Sequence, residues 1–278
     1  MGRTHLQDAV PIRLGQEFRA FSQPVLRDIK RISAAVEELI NADVEYVKNV
    51  VRILSEVTGF EFKQSPDLVD GTRNLDSFVW LSSALKTCAV NLSKTANDIR
   101  LMASGPKAGL AEILLPQQQP GSSIMPGKVN PVIPEVLNQV CFQIFGNDIT
   151  ITKAAEAGQL ELNVFEPVLF FNLFQSIEIL KNGIITFIEN CLKGITAQEE
   201  NCKYWVDRSV GIITALNPHI GYKNAAEIAK ESIKTGVPVA QIVLQRGLLS
   251  KEDLDVILNP FEMTKPGIPG KALLKKNK

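Results

Sequence analysis

Residues 76–104 read DSFVWLSSALKTCAVNLSKTANDIRLMAS and carry the pattern that decides the fold. Apolar residues recur at alternating steps of three and four, with Thr95 at one polar position in the same row. The apolar members are Phe78, Leu81, Leu85, Cys88, Leu92, Ile99 and Met102. This row predicts one helix of about 28 residues, roughly 42 Å long, that ends at Gly105-Pro106. Because a lone helix of that length cannot bury its apolar side, it needs partner helices from this chain or from other subunits.

Four further stretches have helical periodicity and can supply those partners. They lie at about 26–40, 47–57, 134–157 and 167–192, whereas the last quarter has shorter helical units at 223–235, 239–246 and 251–258. No sustained alternation with a period of two is present. The sequence therefore predicts a mainly α fold, an elongated antiparallel bundle of long helices. We expect a bundle domain at 1–200, which includes a loop at 119–131, and a small helical C-terminal domain at 201–278.

Composition and charge exclude several classes of protein. The 278 residues contain 30 Lys+Arg and 30 Asp+Glu, and this balance argues against a nucleic-acid protein that works by a general basic field. We see no apolar run of the roughly 18–20 residues that a membrane span needs, and no secretory signal at the N-terminus. The four cysteines form no C-x-x-C pair, so we expect buried thiols in a cytoplasmic protein and no metal site.

The segment Gln119 to Pro131 reads QPGSSIMPGKVNP, and its three prolines and two glycines forbid a regular helix. Gly121 leaves the backbone free to present successive N–H groups, an arrangement that can hold an oxyanion or a carboxylate. Ser122 and Ser123 add hydroxyls, Lys128 a positive charge and Asn130 a carboxamide. Composition alone leaves two readings open, a plain polar linker and a mobile loop that binds a small anion. The G-x-x-x-x-G-K-[ST] phosphate-loop pattern is not met.

A second polar segment, Gly2 to Pro11, places Arg, Thr, His, Gln and Asp within six positions. Taken alone, a polar N-terminal stretch is more often a frayed end than a site. The other histidine, His219, lies between Pro218 and Ile220-Gly221 and is predicted to be structural.

The loop Gly121-Ser-Ser-Ile-Met-Pro-Gly-Lys-Val-Asn-Pro131 resembles the signature loop of the aspartase/fumarase superfamily, and Gly2-Arg-Thr-His-Leu-Gln-Asp8 resembles another of its active-site regions. The resemblance covers essentially the whole chain. Within the superfamily, three segments are more similar to aspartate ammonia-lyases than to fumarases. They are Asp8 to Pro11, Asn130 to Glu135 and Asn259 to Gly267.

The resemblance implies reversible deamination of L-aspartate to fumarate and ammonia, without an organic cofactor. It implies that Ser122 is the general base, that Ser123 and the loop backbone stabilise the developing carboxylate charge, and that Gly121 and Gly127 are hinges. Thr4, His5, Lys128 and Asn130 match positions that bind substrate. The resemblance also implies a homotetramer whose long helices build one central bundle, with active sites that draw residues from three subunits.

Two departures from the family pattern leave alternatives open. Family members carry a further domain ahead of the Gly-Arg-Thr-His segment, which in this case we expect to be absent or supplied by a separate N-terminal chain. A Gly-rich stretch expected after the first long helix is also missing, because Leu39-Ile40 runs directly into Asn41. The alternatives to an aspartate ammonia-lyase are a fumarate hydratase and a catalytically inactive, truncated helical oligomer.

Overall fold

The structure, a computed structural model, describes residues 3, 4, 7, 8, 11–13, 16, 49, 52, 53, 55–61, 70, 73–121, 124, 125, 127–160 and 162–275. Contacts divide these residues into two compact units. The bundle unit takes in the described residues within Phe21–Gly109 and Ile113–Thr196. The C-terminal unit takes in those within Met1–Ala20, Leu110–Glu112 and Ala197–Lys278. The predicted domain boundary near residue 200 stays a prediction.

Three long helices form the bundle unit: α1 at Asp76–Met102, α2 at Val132–Glu156 and α3 at Glu166–Asn190. They lie within two residues of the predicted ends. Pro134 and Pro167 fall in the first turns of α2 and α3, where a backbone N–H has no partner within the helix and proline is tolerated. The predicted helix at 26–40 lies outside the described residues, and residues 49, 52, 53 and 55–57 of the 47–57 prediction are helical.

Side-chain contacts show that successive long helices run antiparallel. Near the start of α1, the Ser82 hydroxyl donates to Asp148 near the end of α2 at 2.8 Å. Near the end of α1, Arg100 lies 3.6 Å from Glu135 at the start of α2. The same reversal relates α2 and α3, where Asn147 contacts Ser176 and a Cβ on Gly183 would lie 3.3 Å from Val140. The predicted antiparallel long-helix bundle is confirmed.

The bundle core contains most of the apolar row predicted on α1. Phe78, Leu85, Cys88, Leu92, Ile99 and Met102 are buried, and Phe78 packs edge-on against Phe170 of α3 at 4.8 Å between ring centres. On α3 the expected apolar side is only partly covered. Its buried positions are Leu169, Leu173, Ser176, Leu180, Gly183 and Phe187, whereas Phe174, Ile177 and Ile188 are exposed. The helix is apolar on more than one face, and a single chain covers one of them.

One helical segment is long and apolar. Within the described residues, Glu166–Gly194 is long and apolar enough to cross a membrane by length and composition. This segment contains isolated polar residues such as Asn172 and Lys181, so it has no uninterrupted apolar run of that length. Core helices of helical bundles have the same composition, and α3 packs along α2.

Short helices build the C-terminal unit around an apolar core. They are α4 at Glu199–Arg208, α5 at Ile213–Ile220, α6 at Tyr222–Thr235, α7 at Val239–Gln245, α8 at Lys251–Ile257 and α9 at Pro260–Met263, with 3₁₀ turns at Val210–Ile212 and Lys271–Lys275. The core gathers Ile212, Leu216, Ile228, Val239, Ile242, Val243, Leu254 and Ile257. Gly236 ends α6 in the left-handed conformation, with φ +73°. The predicted short helices are confirmed.

Four two-residue strands complete the described elements. Arg3–Thr4 (β1) pairs antiparallel with Gln7–Asp8 (β2), and Ile113–Leu114 (β3) pairs with Thr196–Ala197 (β4). A third 3₁₀ turn occupies Leu192–Gly194.

Three of the four cysteines are buried and form no disulfide: Cys88, Cys141 and Cys191. Burial raises the pKa of Cys141 and of Cys191 to about 11, because the thiolate would lose its hydration. Both side chains are therefore neutral at physiological pH and behave as small apolar core residues. His219 has a structural contact, since its Nε2 lies 2.8 Å from the carbonyl oxygen of Pro269.

Candidate active site

The loop after Pro120 is closed at its base by a side chain. The Asn130 carboxamide donates from Nδ2 to the carbonyl oxygen of Gly121 at 3.1 Å. A Cβ on Gly121 would overlap the carbonyl oxygen of Lys128, so only glycine fits at this position. The sequence predicted Gly121 as a source of backbone freedom, and the structure adds that it permits close contact between the two ends of the loop.

The far side of the loop turns sharply at Gly127. Its φ is +85°, a conformation that favours glycine. The Lys128 N–H donates to the carbonyl of Met125 at 3.2 Å, which closes a four-residue turn. The Lys128 side chain and that of Val129 are exposed. The positively charged Lys128 therefore lies on an exposed turn, between the two residues, Gly121 and Asn130, whose hydrogen bond closes the loop.

Helix α2 begins directly after the loop, and α1 holds its first turn. Arg100 lies 3.6 Å from the Glu135 carboxylate and donates from Nη1 to Oδ1 of Asn138 at 3.2 Å. Asn138 is buried and donates from Nδ2 to the Ser93 hydroxyl at 2.9 Å and to the Ser93 carbonyl at 3.1 Å. This polar chain joins α1 to the first two turns of α2. Asn138 has its hydrogen bonds inside the bundle, whereas the buried Nε of Arg100 has no hydrogen-bond partner.

The residues before the loop are fixed against the end of α3. The Gln118 side-chain amide donates to the Asn190 carbonyl at 2.8 Å. A Cβ on Gly194 would lie 2.9 Å from the Pro116 ring, so these two segments are in close contact. The segments on either side of the loop are thus held at the ends of long helices.

The predicted N-terminal site segment contains a short hairpin. Arg3 pairs with Asp8 and Thr4 with Gln7, so His5 and Leu6 follow β1 and precede β2 in the sequence. The side chains of Gln7 and Asp8 are exposed. Thr4 lies in β1, and nothing further is described for its side chain.

The predicted site residues differ in how much the structure describes. Gly121, Gly127, Lys128 and Asn130 lie together in the loop. Ser122, Ser123 and His5 lie outside the described residues. The roles assigned to all of these residues stay predictions.

Sequence reasoning missed the contribution of Arg100 and Asn138. Asn138 interrupts the apolar face of α2 at a buried position, and such a residue usually has a fixed hydrogen-bond partner. That signal points to a buried polar contact without naming Ser93 or Arg100 as its partners.

The C-terminal unit contains a cavity that is separate from the predicted site residues. A cavity of about 480 Å³ in the C-terminal unit is lined in part by Tyr204, Arg208 and Leu244, and it contains none of the predicted residues. Among the described residues, no three His, Cys, Asp or Glu side chains are grouped so that they could hold a metal ion.

Two family models match the sequence of the chain. The family model described as "Lyase" matches residues 1–146, more than half of the chain, and the model described as "Fumarase C C-terminus" matches residues 212–265. The chain belongs to this lyase family. The match confirms the predicted resemblance to the aspartase/fumarase superfamily.

Curated relatives of this lyase-family chain are similar over nearly all of its length. It is 58% identical to "Aspartate ammonia-lyase" of Bacillus subtilis (strain 168) over 99% of the chain, and 48% identical to "Aspartate ammonia-lyase" of Escherichia coli (strain K12) over 98%. The chain spans 61% and 59% of these two relatives.

Solved structures show the same fold for the lyase-family chain. A fumarate lyase:delta crystallin from Brucella melitensis bound to cobalt is 45% identical, with a TM-score of 0.91 over 95% of this chain and 60% of that one. A class II fumarase from Schistosoma mansoni is 32% identical, with a TM-score of 0.86 over 95% of this chain and 61% of that one. The mainly α bundle is thus the family's fold.

Proposed function

We propose that this chain acts as an aspartate ammonia-lyase, which converts L-aspartate reversibly into fumarate and ammonia. The observation that carries the proposal is the loop from Gly121 to Pro131, whose base is closed by the Asn130 amide on the Gly121 carbonyl. The 58% and 48% identical aspartate ammonia-lyases support the choice of reaction.

The proposed reaction begins with removal of a proton from the carbon next to the β-carboxylate of aspartate. Ser122 takes this proton as an alkoxide, and the electron pair delocalises into the carboxylate, which becomes a doubly charged aci-carboxylate. The C–N bond then breaks, the carbon–carbon double bond of fumarate forms, and ammonia leaves. No bond to the protein forms, so the protein supplies a base, hydrogen-bond donors and orientation.

The proposed reaction places negative charge on the Ser122 alkoxide and on the aci-carboxylate, and loop groups must stabilise both. The neutral serine hydroxyl is a weak base, and because its pKa is high, little of the strongly basic alkoxide forms at neutral pH. The alkoxide therefore needs nearby N–H groups and positive charge. Donors directed at the aci-carboxylate stabilise the transition state more than the substrate, and this difference accelerates the reaction. We assign that task to Ser123 and the loop backbone.

The remaining predicted residues bind the substrate. We assign Lys128, Asn130, Thr4 and His5 to the carboxylate and amino groups of aspartate. Asn130 has a double role, because one N–H of its carboxamide closes the loop on Gly121. The same group has a second N–H and an acceptor oxygen, and the proposal assigns these to the substrate. Gly127 and Gly121 serve as hinges of the loop.

We further propose that the protein is a cytoplasmic homotetramer assembled through the long helices. Exposed apolar residues on α2 and α3 support a contact between copies of this chain, because large exposed apolar patches mark interaction sites. They include Val136, Phe142, Ile149, Val168, Phe171, Phe174 and Ile185, between 42% and 65% exposed by residue. Buried free thiols support a reducing compartment.

The test of the proposed function is product formation by the purified chain with two substrates in parallel. Fumarate formed from L-aspartate, with release of ammonia, is the expected result. Fumarate formed from L-malate instead assigns the chain as a fumarate hydratase. Formation from neither substrate by a folded oligomer supports the third alternative, a catalytically inactive helical assembly, and contradicts the proposal.

A further inference from the structure

Arg13 joins the N-terminal segment to residues near the other end of the sequence. Its Nε donates to the Thr264 hydroxyl oxygen at 2.5 Å, and its Nη2 donates to the Phe261 carbonyl at 3.0 Å. The guanidinium carbon also lies 5.4 Å from the centre of the Phe261 ring, within the range of a cation–π contact. We call these three contacts the Arg13 clamp.

The backbone at Arg13 is fixed on its own side of the clamp. The Gln16 N–H donates to the Arg13 carbonyl at 2.8 Å, and the Gln16 side-chain oxygen accepts from the Arg13 N–H at 2.9 Å. A side chain that reaches back three residues to a backbone N–H is typical of a capped helix start. The backbone N–H and carbonyl of Arg13 therefore both have hydrogen-bond partners in Gln16.

The acceptor side of the clamp is equally defined. Asn259 caps α9 by accepting from the Phe261 N–H at 2.9 Å, and the Thr264 hydroxyl donates to the Pro260 carbonyl at 2.9 Å. The hydroxyl proton is thus directed at Pro260, which leaves the oxygen of Thr264 to accept from Arg13. These contacts involve residues of the Asn259–Gly267 segment that the sequence singled out.

The clamp lies close in sequence to the hairpin that carries predicted substrate ligands. Asp8, the last residue of β2, is five residues from Arg13, so the two are at most about 18 Å apart even in a fully extended chain. Pro11 stiffens this connection because its ring fixes φ. Because Arg13 is held by these contacts, the short connection restricts the positions that the β1–β2 hairpin can adopt relative to α9.

We propose that Arg13 is a positioning residue for substrate binding: within the C-terminal unit, it holds the β1–β2 hairpin near α9 through Phe261 and Thr264. The role of the hairpin in binding aspartate rests on the proposed function, whereas the clamp itself does not. Arginine is required because one planar group must donate in two directions and lie against an aromatic ring. A lysine ammonium is a point charge without that fork.

The test compares Arg13→Ala, Arg13→Lys and Thr264→Val with the unchanged chain. Steady-state kinetics with L-aspartate should show a KM raised about tenfold in Arg13→Ala and a kcat changed by less than about threefold, since misplaced binding groups reduce affinity first. Arg13→Lys should not restore the KM. In the Arg13→Ala background, Thr264→Val should add little, because the two changes remove the same contact.

Amide hydrogen exchange of residues 3–13 provides a readout that does not need turnover. It should be faster in Arg13→Ala and Arg13→Lys than in the unchanged chain. The matched control is Arg52→Ala, which removes an exposed arginine paired with Glu56 at 2.8 Å in the bundle unit. It should leave both the exchange of residues 3–13 and the KM unchanged.

The two proposals fail in different ways. Unchanged exchange at residues 3–13 in Arg13→Ala overturns the clamp, whatever the activity. Faster exchange with an unchanged KM shows that the clamp is only structural and overturns its positioning role. Absence of turnover in the unchanged chain contradicts the proposed function, and in that case faster exchange in both Arg13 variants supports the clamp alone.

Discussion

Lys128 is exposed on the turn that Gly127 forms, two residues before the asparagine that closes the loop. A charge-assisted hydrogen bond is worth about 1.5–3 kcal/mol, so its loss should weaken binding of a dicarboxylate by roughly tenfold or more. We predict that Lys128→Ala raises the dissociation constant of fumarate by that factor, measured by titration calorimetry.

The matched control for this prediction is Lys107→Ala. Lys107 is also exposed, in the segment between α1 and the loop, and the same net charge is lost in both variants. Equal weakening in the two variants indicates a general effect of charge and contradicts the assignment of Lys128.

Residues of a short sequence motif can be predicted from the sequence, whereas contacts between residues far apart in the sequence cannot. Lys128 and Asn130 are identified from the sequence because they belong to one short segment with a specific spacing. The partners of Asn138 and Arg13 are 45 and about 250 positions away. No local pattern encodes such distant partners, so these contacts emerge only from the fold.

The loop as an element depends on Gly121, since any side chain there overlaps the carbonyl of Lys128. We predict that Gly121→Ala separates the loop ends and lowers kcat/KM for L-aspartate by about 10²-fold, the effect of misplacing catalytic groups by about 1 Å. The helices of the bundle do not depend on this contact, so the circular dichroism spectrum should be unchanged.

Val129→Ala is the control for Gly121→Ala. Val129 is in the same loop and 47% exposed, so trimming its side chain should change kcat/KM by less than about threefold. Activity of Gly121→Ala close to that of the unchanged chain would show that closure of the loop base is not required.

The helices were predictable because their apolar rows keep a helical period over many turns. The ends of α1, α2 and α3 fall within two residues of the expected positions, where proline and glycine mark them. Which face of α3 is buried was not predictable. Phe170 and Phe174 lie one turn apart, yet Phe170 packs against Phe78 whereas Phe174 is exposed. The sequence of a helix that is apolar on two faces does not show which face meets a neighbour in its own chain.

At the scale of the whole molecule, the exposed apolar residues of α2 and α3 are proposed to form the contacts of a homotetramer. Phe171 is 65% exposed, and burial of a phenylalanine contributes about 1.5–3 kcal/mol. We predict that Phe171→Asp converts the tetramer into smaller species, measured by light scattering after size-exclusion chromatography.

Tyr222→Asp is the matched control, because Tyr222 is an aromatic residue that is 80% exposed at the start of α6. It should remain tetrameric. A tetrameric Phe171→Asp variant would contradict the proposed contact, and a monomeric unchanged chain would contradict the homotetramer itself. Leu85 is unsuitable for this test because it is buried within the chain, so a charge there would unfold the bundle.

The chain spans about 60% of its curated relatives and retains the loop that is proposed to carry the base. We propose that this loop performs the chemistry of an aspartate ammonia-lyase through Ser122. The most direct measurement is the rate of fumarate formation from L-aspartate by Ser122→Ala and by the unchanged chain, with folding checked by circular dichroism. We predict that the unchanged chain forms fumarate and that the rate of fumarate formation is at least about 10²-fold lower in Ser122→Ala. A factor of this size is the contribution typical of a general base. Equal rates in the two proteins would contradict it.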